Sequence, residues 1–230
     1  NTANSTWSSI GGGRGNTSSS SYSFVGAGLS NTASGPRSTI GGGQSNLASC
    51  NWSVVAGGLS NTSSGYLSGV VSGDCNVATA TRSFVGGGRT NTASAVYGVI
   101  AGGQANSASG VRSFVGGGVT NTASSTYSVV SGGCVNTASN VASVVVGGCN
   151  NTSSGNASSI LGGRSNSTST TFNSISGGYS NSITASTGRS SIVGGSAHQI
   201  LGSGLAFIGG GNSNTVSCSY YGTIVGGVGH

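Results

Sequence analysis

Few side chains in this chain could do chemistry. A Ser, His and acid site needs all three groups in one place, yet Asp74 is the only acid, and His198 and His230 are the only histidines. A metal centre needs clustered ligands. The two histidines are far apart in sequence, and the five cysteines (Cys50, Cys75, Cys134, Cys149 and Cys218) show no C-x-x-C spacing. The Gly-Gly-Gly runs suggest phosphate loops, but no G-x-x-x-x-G-K-[ST] occurs and Lys is absent altogether. Nucleic-acid recognition needs a dense basic track, and the seven basic residues are isolated arginines. The expectation is a protein that is not an enzyme, with no catalytic residues, no metal and no cofactor, no specific nucleic-acid partner and no membrane insertion.

Composition narrows the class of fold. Charged residues make up 3% of the 230 residues, against about 25% in ordinary soluble proteins. Helix formers and i,i+4 charge pairs are lacking, so a helical protein is excluded. A disordered chain usually carries high net charge and many prolines; Pro36 is the only proline here.

The ordering principle is a repeat. Asn recurs every fifteenth residue from Asn1 to Asn181, Val or Ile from Ile10 to Ile175, and Gly from Gly13 to Gly178, with Ser almost always two places before the Val or Ile. The unit reads N-T-A-S-x-x-x-S-x-V-x-G-G-x-x. After Asn181 the Asn place passes to His198, Asn214 and His230, at intervals of 17, 16 and 16. A fifteen-residue period is too short for a helix pair and suits one turn of a solenoid. The sequence predicts an all-β, parallel β-solenoid of about fifteen coils in a single domain over 1–230, strict over 1–181 and irregular over 182–230. The recurring Gly is expected at φ > 0 in a sharp turn. Val/Ile, Ser and Ala should point inward, and the stacked Asn side chains should form an amide ladder.

Alternation turns the residue before each Val or Ile outward. Phe24, Val54, Phe84, Val99, Phe114, Val129 and Val144 then form an apolar stripe. Trp7, Tyr22, Arg37, Trp52, Arg82, Tyr97, Arg112, Tyr127 and Phe172, two places earlier in their coils, are expected on the same outer face, with Arg over aromatic rings. A stripe of this size is expected to be covered, by identical chains in the first reading and by a sugar in the second. A second face presents Thr2, Thr17, Thr32, Thr62, Thr92, Thr122, Thr137 and Thr152 beside a parallel column of Ser. This flat T-x-S array resembles the ice-binding face of some insect antifreeze proteins.

The motif S-x-V/I-x-G-G-x-x-N-T-A-S runs from Ser38 to Gly43 and on to Asn46, and again from Ser113 to Gly118 and on to Asn121–Ser124. It resembles the head repeats of YadA-like trimeric autotransporter adhesins, with related repeats in viral and phage fibres. The resemblance implies a left-handed parallel β-roll, three chains side by side, and an adhesive or spacer role at an extracellular, cell or virion surface, with a host receptor or glycan as partner. Both termini fall in phase with the repeat, which suggests a segment of a longer protein or coils stacking end to end into a filament. The alternatives to an adhesin head or viral fibre are therefore a head-to-tail extracellular filament subunit and an ice-binding protein.

Cys134 and Cys149 lie one period apart, so they should face each other in adjacent coils within disulfide reach, either bonded or as two buried thiols. Among the N-x-S/T sequons, those at Asn16, Asn61, Asn151 and Asn166 belong to the inward ladder. Asn51 and Asn156 fall at outward turns and are the better glycosylation candidates.

Overall fold

The computed structural model describes residues 1–184, 188–202 and 204–230. The chain is a parallel β-solenoid of about fifteen coils, in two compact units, Asn1–Gly117 and Gly118–His230. With each Asn counted as position 1, every regular coil has one short strand at positions 2–3 and a second at positions 9–10, as in Thr17–Ser18 and Phe24–Val25. Position 14 adds a single bridge, as at Arg14↔Leu29 and Leu29↔Gln44. Register follows the sequence period. In the first unit Thr17 pairs Thr32 and Phe24 pairs Thr39; in the second Thr122 pairs Thr137 and Val129 pairs Val144.

The interior is thin. Position 10 supplies one Val or Ile per regular coil, fully buried from the second coil onward, as in Val25, Ile40, Val55, Val130 and Ile160, and position 3 supplies Ala, Ser or, in one coil, Thr168. Burial of each β-branched side chain contributes about 1.5–3 kcal/mol. That leaves much of the specification to polar groups, and the Asn column shows how. The Asn16 Oδ1 accepts the backbone N–H of Asn31 (2.9 Å), and the Asn31 Nδ2 donates to the carbonyls of Ala27 (3.2 Å) and Gly43 (2.8 Å). One carboxamide thus ties together the backbone of successive coils around the glycine turn. Side chain to side chain bonds are fewer and longer, as from Asn31 Nδ2 to Asn16 Oδ1 at 3.2 Å. The expected amide ladder is therefore mainly a ladder from side chain to backbone. Asn suits it because it carries an acceptor and two donors on a short, uncharged stem. His198 occupies the same column, fully buried, with Nδ1 accepting the Asn214 N–H at 3.1 Å.

Ser at position 8 closes the opposite corner. The Ser23 Oγ donates to the Ser20 carbonyl (2.7 Å) and accepts the Ser20 N–H (3.2 Å). Ser53 and Ser143 do the same with Cys50 and Asn140. A hydroxyl three residues on is what such a local turn requires.

Left-handed backbone recurs at three positions of a regular coil: 7, 13 and 15. Position 13 is always Gly, with φ of 86° at Gly13 and 90° at Gly43. A Cβ at Gly13 would collide with the Gly28 carbonyl and the Asn16 carboxamide. Positions 7 and 15 accept ordinary side chains at φ between 49° and 60°, as at Trp7, Tyr22 and Ser30, because the side chain there leaves the coil. The column Trp7, Tyr22, Arg37, Trp52 therefore does not share the outer sheet face with Phe24 and Val54, as strand alternation predicts. It occupies the corner between the two sheets, where the chain turns and alternation lapses.

Candidate functional surfaces

The apolar stripe lies on the sheet built from the second strands. Phe24, Val54, Phe84 and Phe114 point outward and are about two-fifths exposed (38–41%), while Val99, Val129 and Val144 are half-buried. The face is maintained by a pairing that reading single columns does not reveal. Each Phe that opens a second strand is followed two residues later by Gly, in Phe24-Val25-Gly26, Phe84-Val85-Gly86, Phe114-Val115-Gly116 and Phe207-Ile208-Gly209. Where position 11 carries a larger apolar group, as at Val71, Val146 and Leu161, position 9 is Gly69, Val144 or Ser159. The Phe24 ring lies beside Gly26, at 3.6 Å from where a Cβ would stand. Each Phe thus stands beside a Gly, and the remaining regular coils carry Val, Gly, Ser or Thr at position 9, as at Val54, Gly69, Ser9 and Thr39. No charged residue occupies position 9 or 11 in any regular coil.

The corner at position 7 forms a different surface. Within the first unit the Trp7 and Tyr22 rings stack at 6.5 Å between centroids, and Arg37 lies 5.5 Å from the Tyr22 centroid and 5.1 Å from that of Trp52. Arg82 and Arg112 flank Tyr97 at 5.3 and 5.6 Å, and the Arg82 guanidinium donates to the Tyr97 hydroxyl at 2.6 Å. In the second unit Arg189 sits 5.9 Å from the Phe172 ring. The expected stacking of Arg on aromatic rings is thus present, at the corner. Cation–π contacts at exposed sites contribute about 0.5–1 kcal/mol each.

The hydroxyl face lies on the sheet of first strands. In the first unit Thr17, Thr32, Thr62 and Thr92 share one register column with Leu47, Val77 and Ser107, and in the second Thr122, Thr137 and Thr152 pair in turn; these Thr side chains are half-buried by their neighbours.

Cys134 and Cys149 are joined by a disulfide across neighbouring coils, with Cα atoms 4.7 Å apart. Cys50, Cys75 and Cys218 are free. Asp74 lies 3.6 Å from Arg89 in the next coil, with both side chains well exposed, and a pair of this kind stabilises little. The Cys75 thiol is pushed up from its ordinary range. Its hydrogen bond with the Asp74 side chain is the main cause, followed by desolvation and the Asp74 charge, against the opposing pull of Arg89. Asn51 and Asn156 occupy the same turn position. Asn156 is exposed, whereas Asn51 is half-buried with its Oδ1 enclosed and without a partner. The ladder sequon residues Asn16, Asn61, Asn151 and Asn166 are at most 1% exposed. Among the described residues no three His, Cys, Asp or Glu side chains come together as metal ligands, and no helix is long and apolar enough to cross a membrane.

Comparison with models of known protein families finds no match, and comparison with curated proteins finds none either.

Proposed function

We propose that this chain is a structural, non-catalytic fibre protein displayed at an outer surface, an adhesin head or spacer whose Phe/Val sheet packs against identical chains in a trimer. The observation that carries the reading is the apolar face. Phe24, Val54, Phe84 and Phe114 lie on one parallel sheet, exposed in the single chain, and no charge interrupts their columns. Apolar patches larger than a few hundred Å² are rare on proteins that remain monomeric. The Cys134–Cys149 bond fits an oxidising compartment, in keeping with an extracellular, cell-surface or virion location. Sedimentation equilibrium at micromolar concentration tests the assembly. The expected mass is three times the 21.8 kDa of one chain; a monomer contradicts the reading.

A second reading, ice binding, is favoured by the in-register Thr column on the opposite sheet. It predicts thermal hysteresis in dilute solution, and absence of that activity ends it.

A further inference from the structure

The departures from the fifteen-residue period all fall at one place. Seven residues separate the two strand starts in a regular coil, from Ser167 to Ser174. The count rises to nine from Ser182 to Ser191, and to eight from Gln199 to Phe207 and from Thr215 to Thr223. The return path from second strand to next first strand keeps its length of eight, as from Ser191 to Gln199. The extra residues therefore lie between the first and second strands, the interval whose corner elsewhere carries the stacked aromatic and Arg side chains.

A cleft of about 200 Å³ opens at this corner, lined by Thr171, Phe172, Arg189, Leu205 and Tyr220 with two glycines. Its frame is held by the backbone. The Arg189 N–H donates to the Thr171 carbonyl at 3.2 Å, and the Leu205 N–H donates to the Tyr220 carbonyl at 2.7 Å. Two aromatic rings and a Leu offer apolar walls, the Tyr220 hydroxyl offers a donor and acceptor, and Arg189 is the only charged group. The chain's single acid, Asp74, is engaged with Arg89 in the other unit, so no carboxylate of this unit neutralises Arg189. A guanidinium is a planar fork that matches a carboxylate with two parallel hydrogen bonds. Size then selects among anions that carry a ring. Pockets for drug-sized ligands run from roughly 300 to 1,000 Å³, so the space within this one matches a single ring.

We propose that this corner cleft binds one acidic sugar ring of the uronic acid class, its carboxylate on Arg189 and its apolar ring face against Tyr220. The site is complete within one unit of one chain and does not rest on assembly.

The test uses the full chain with glucuronate, its neutral counterpart glucose, and adenosine monophosphate, followed by saturation-transfer NMR and calorimetric titration. Glucuronate is expected to bind at least about tenfold more tightly than glucose, the scale of one charge-assisted contact. Arg189→Gln should erase that preference, and Arg189→Lys should keep only part of it, since it retains the charge and loses the fork. Tyr220→Ser should weaken glucuronate and glucose together. Equal binding of glucose and glucuronate, a preference unchanged by Arg189→Gln, tighter binding of the nucleotide, or no transfer to any sugar overturns the proposal. Sedimentation of Arg189→Gln alongside the parent chain keeps this outcome separate from that of the assembly reading.

Discussion

The two sheets of each coil share one interior and differ in what they show outside. The first sheet presents mostly Thr and Ser, interrupted by Leu47 and Val77. The second presents Phe and Val in columns without charge, with Gly set beside each Phe. The Asn, Ser, Val/Ile and Gly that close the coil are common to both and point inward or sit at turns. A solenoid built this way separates folding from recognition: the inward columns are held constant by the neighbouring coils, and the outward columns are free to diverge.

The largest expected effect comes from breaking what the two sheets share. Asn136→Ala removes the acceptor of the Asn151 N–H (3.0 Å) and a donor to the Gly132 carbonyl (2.9 Å). Leaving such groups unsatisfied costs about 1–3 kcal/mol each when buried, so urea unfolding should show a loss of about 2–4 kcal/mol. The second test sets the faces against each other. Phe84→Glu places a charge on the apolar sheet and should weaken self-association at least about a hundredfold. Thr92→Glu, on the hydroxyl sheet of the adjacent coil, should leave the sedimentation profile unchanged. Equal effects from the two would erase the distinction between the faces.

Smaller effects belong to the corners. Tyr97→Ser removes the ring flanked by Arg82 and Arg112 and should lower stability by about 1 kcal/mol in the same unfolding assay, without changing assembly. At Cys75 the effect is on reactivity alone. Asp74 raises the thiol's pKa, so Asp74→Asn should lower it, increase the thiolate fraction at a given pH, and speed alkylation by iodoacetamide at pH 8. A slower reaction would contradict the assigned cause. Because the thiol is exposed, no change in folding stability with pH is expected from it.

Much of the fold was legible because translation by one coil superposes like on like. The columns of Asn, Val/Ile and Gly could be read directly, and their inward or turning roles follow from size and backbone freedom. The period says which residues stack but not where the chain bends. That is why Trp7 and Tyr22 read as sheet residues and prove to be left-handed corner residues. It is also why the Asn column reads as an amide ladder when its main partners are the glycine-turn carbonyls and the next backbone N–H. The Phe and Gly pairing was present in the letters, but it appears only when positions 9 and 11 are read together. The cleft around Arg189 had one sequence signal, the lengthened intervals after Asn181, and only the strand positions show that all of these fall between a first and a second strand.

The central claim is that the Phe/Val sheet is an interface between identical chains. A cryo-EM cross-section of the assembled protein tests it most directly. The account predicts three solenoids around one axis, with Phe24, Phe84 and Phe114 facing that axis and the Thr column facing solvent. A single solenoid with the Phe/Val sheet open to water would contradict it.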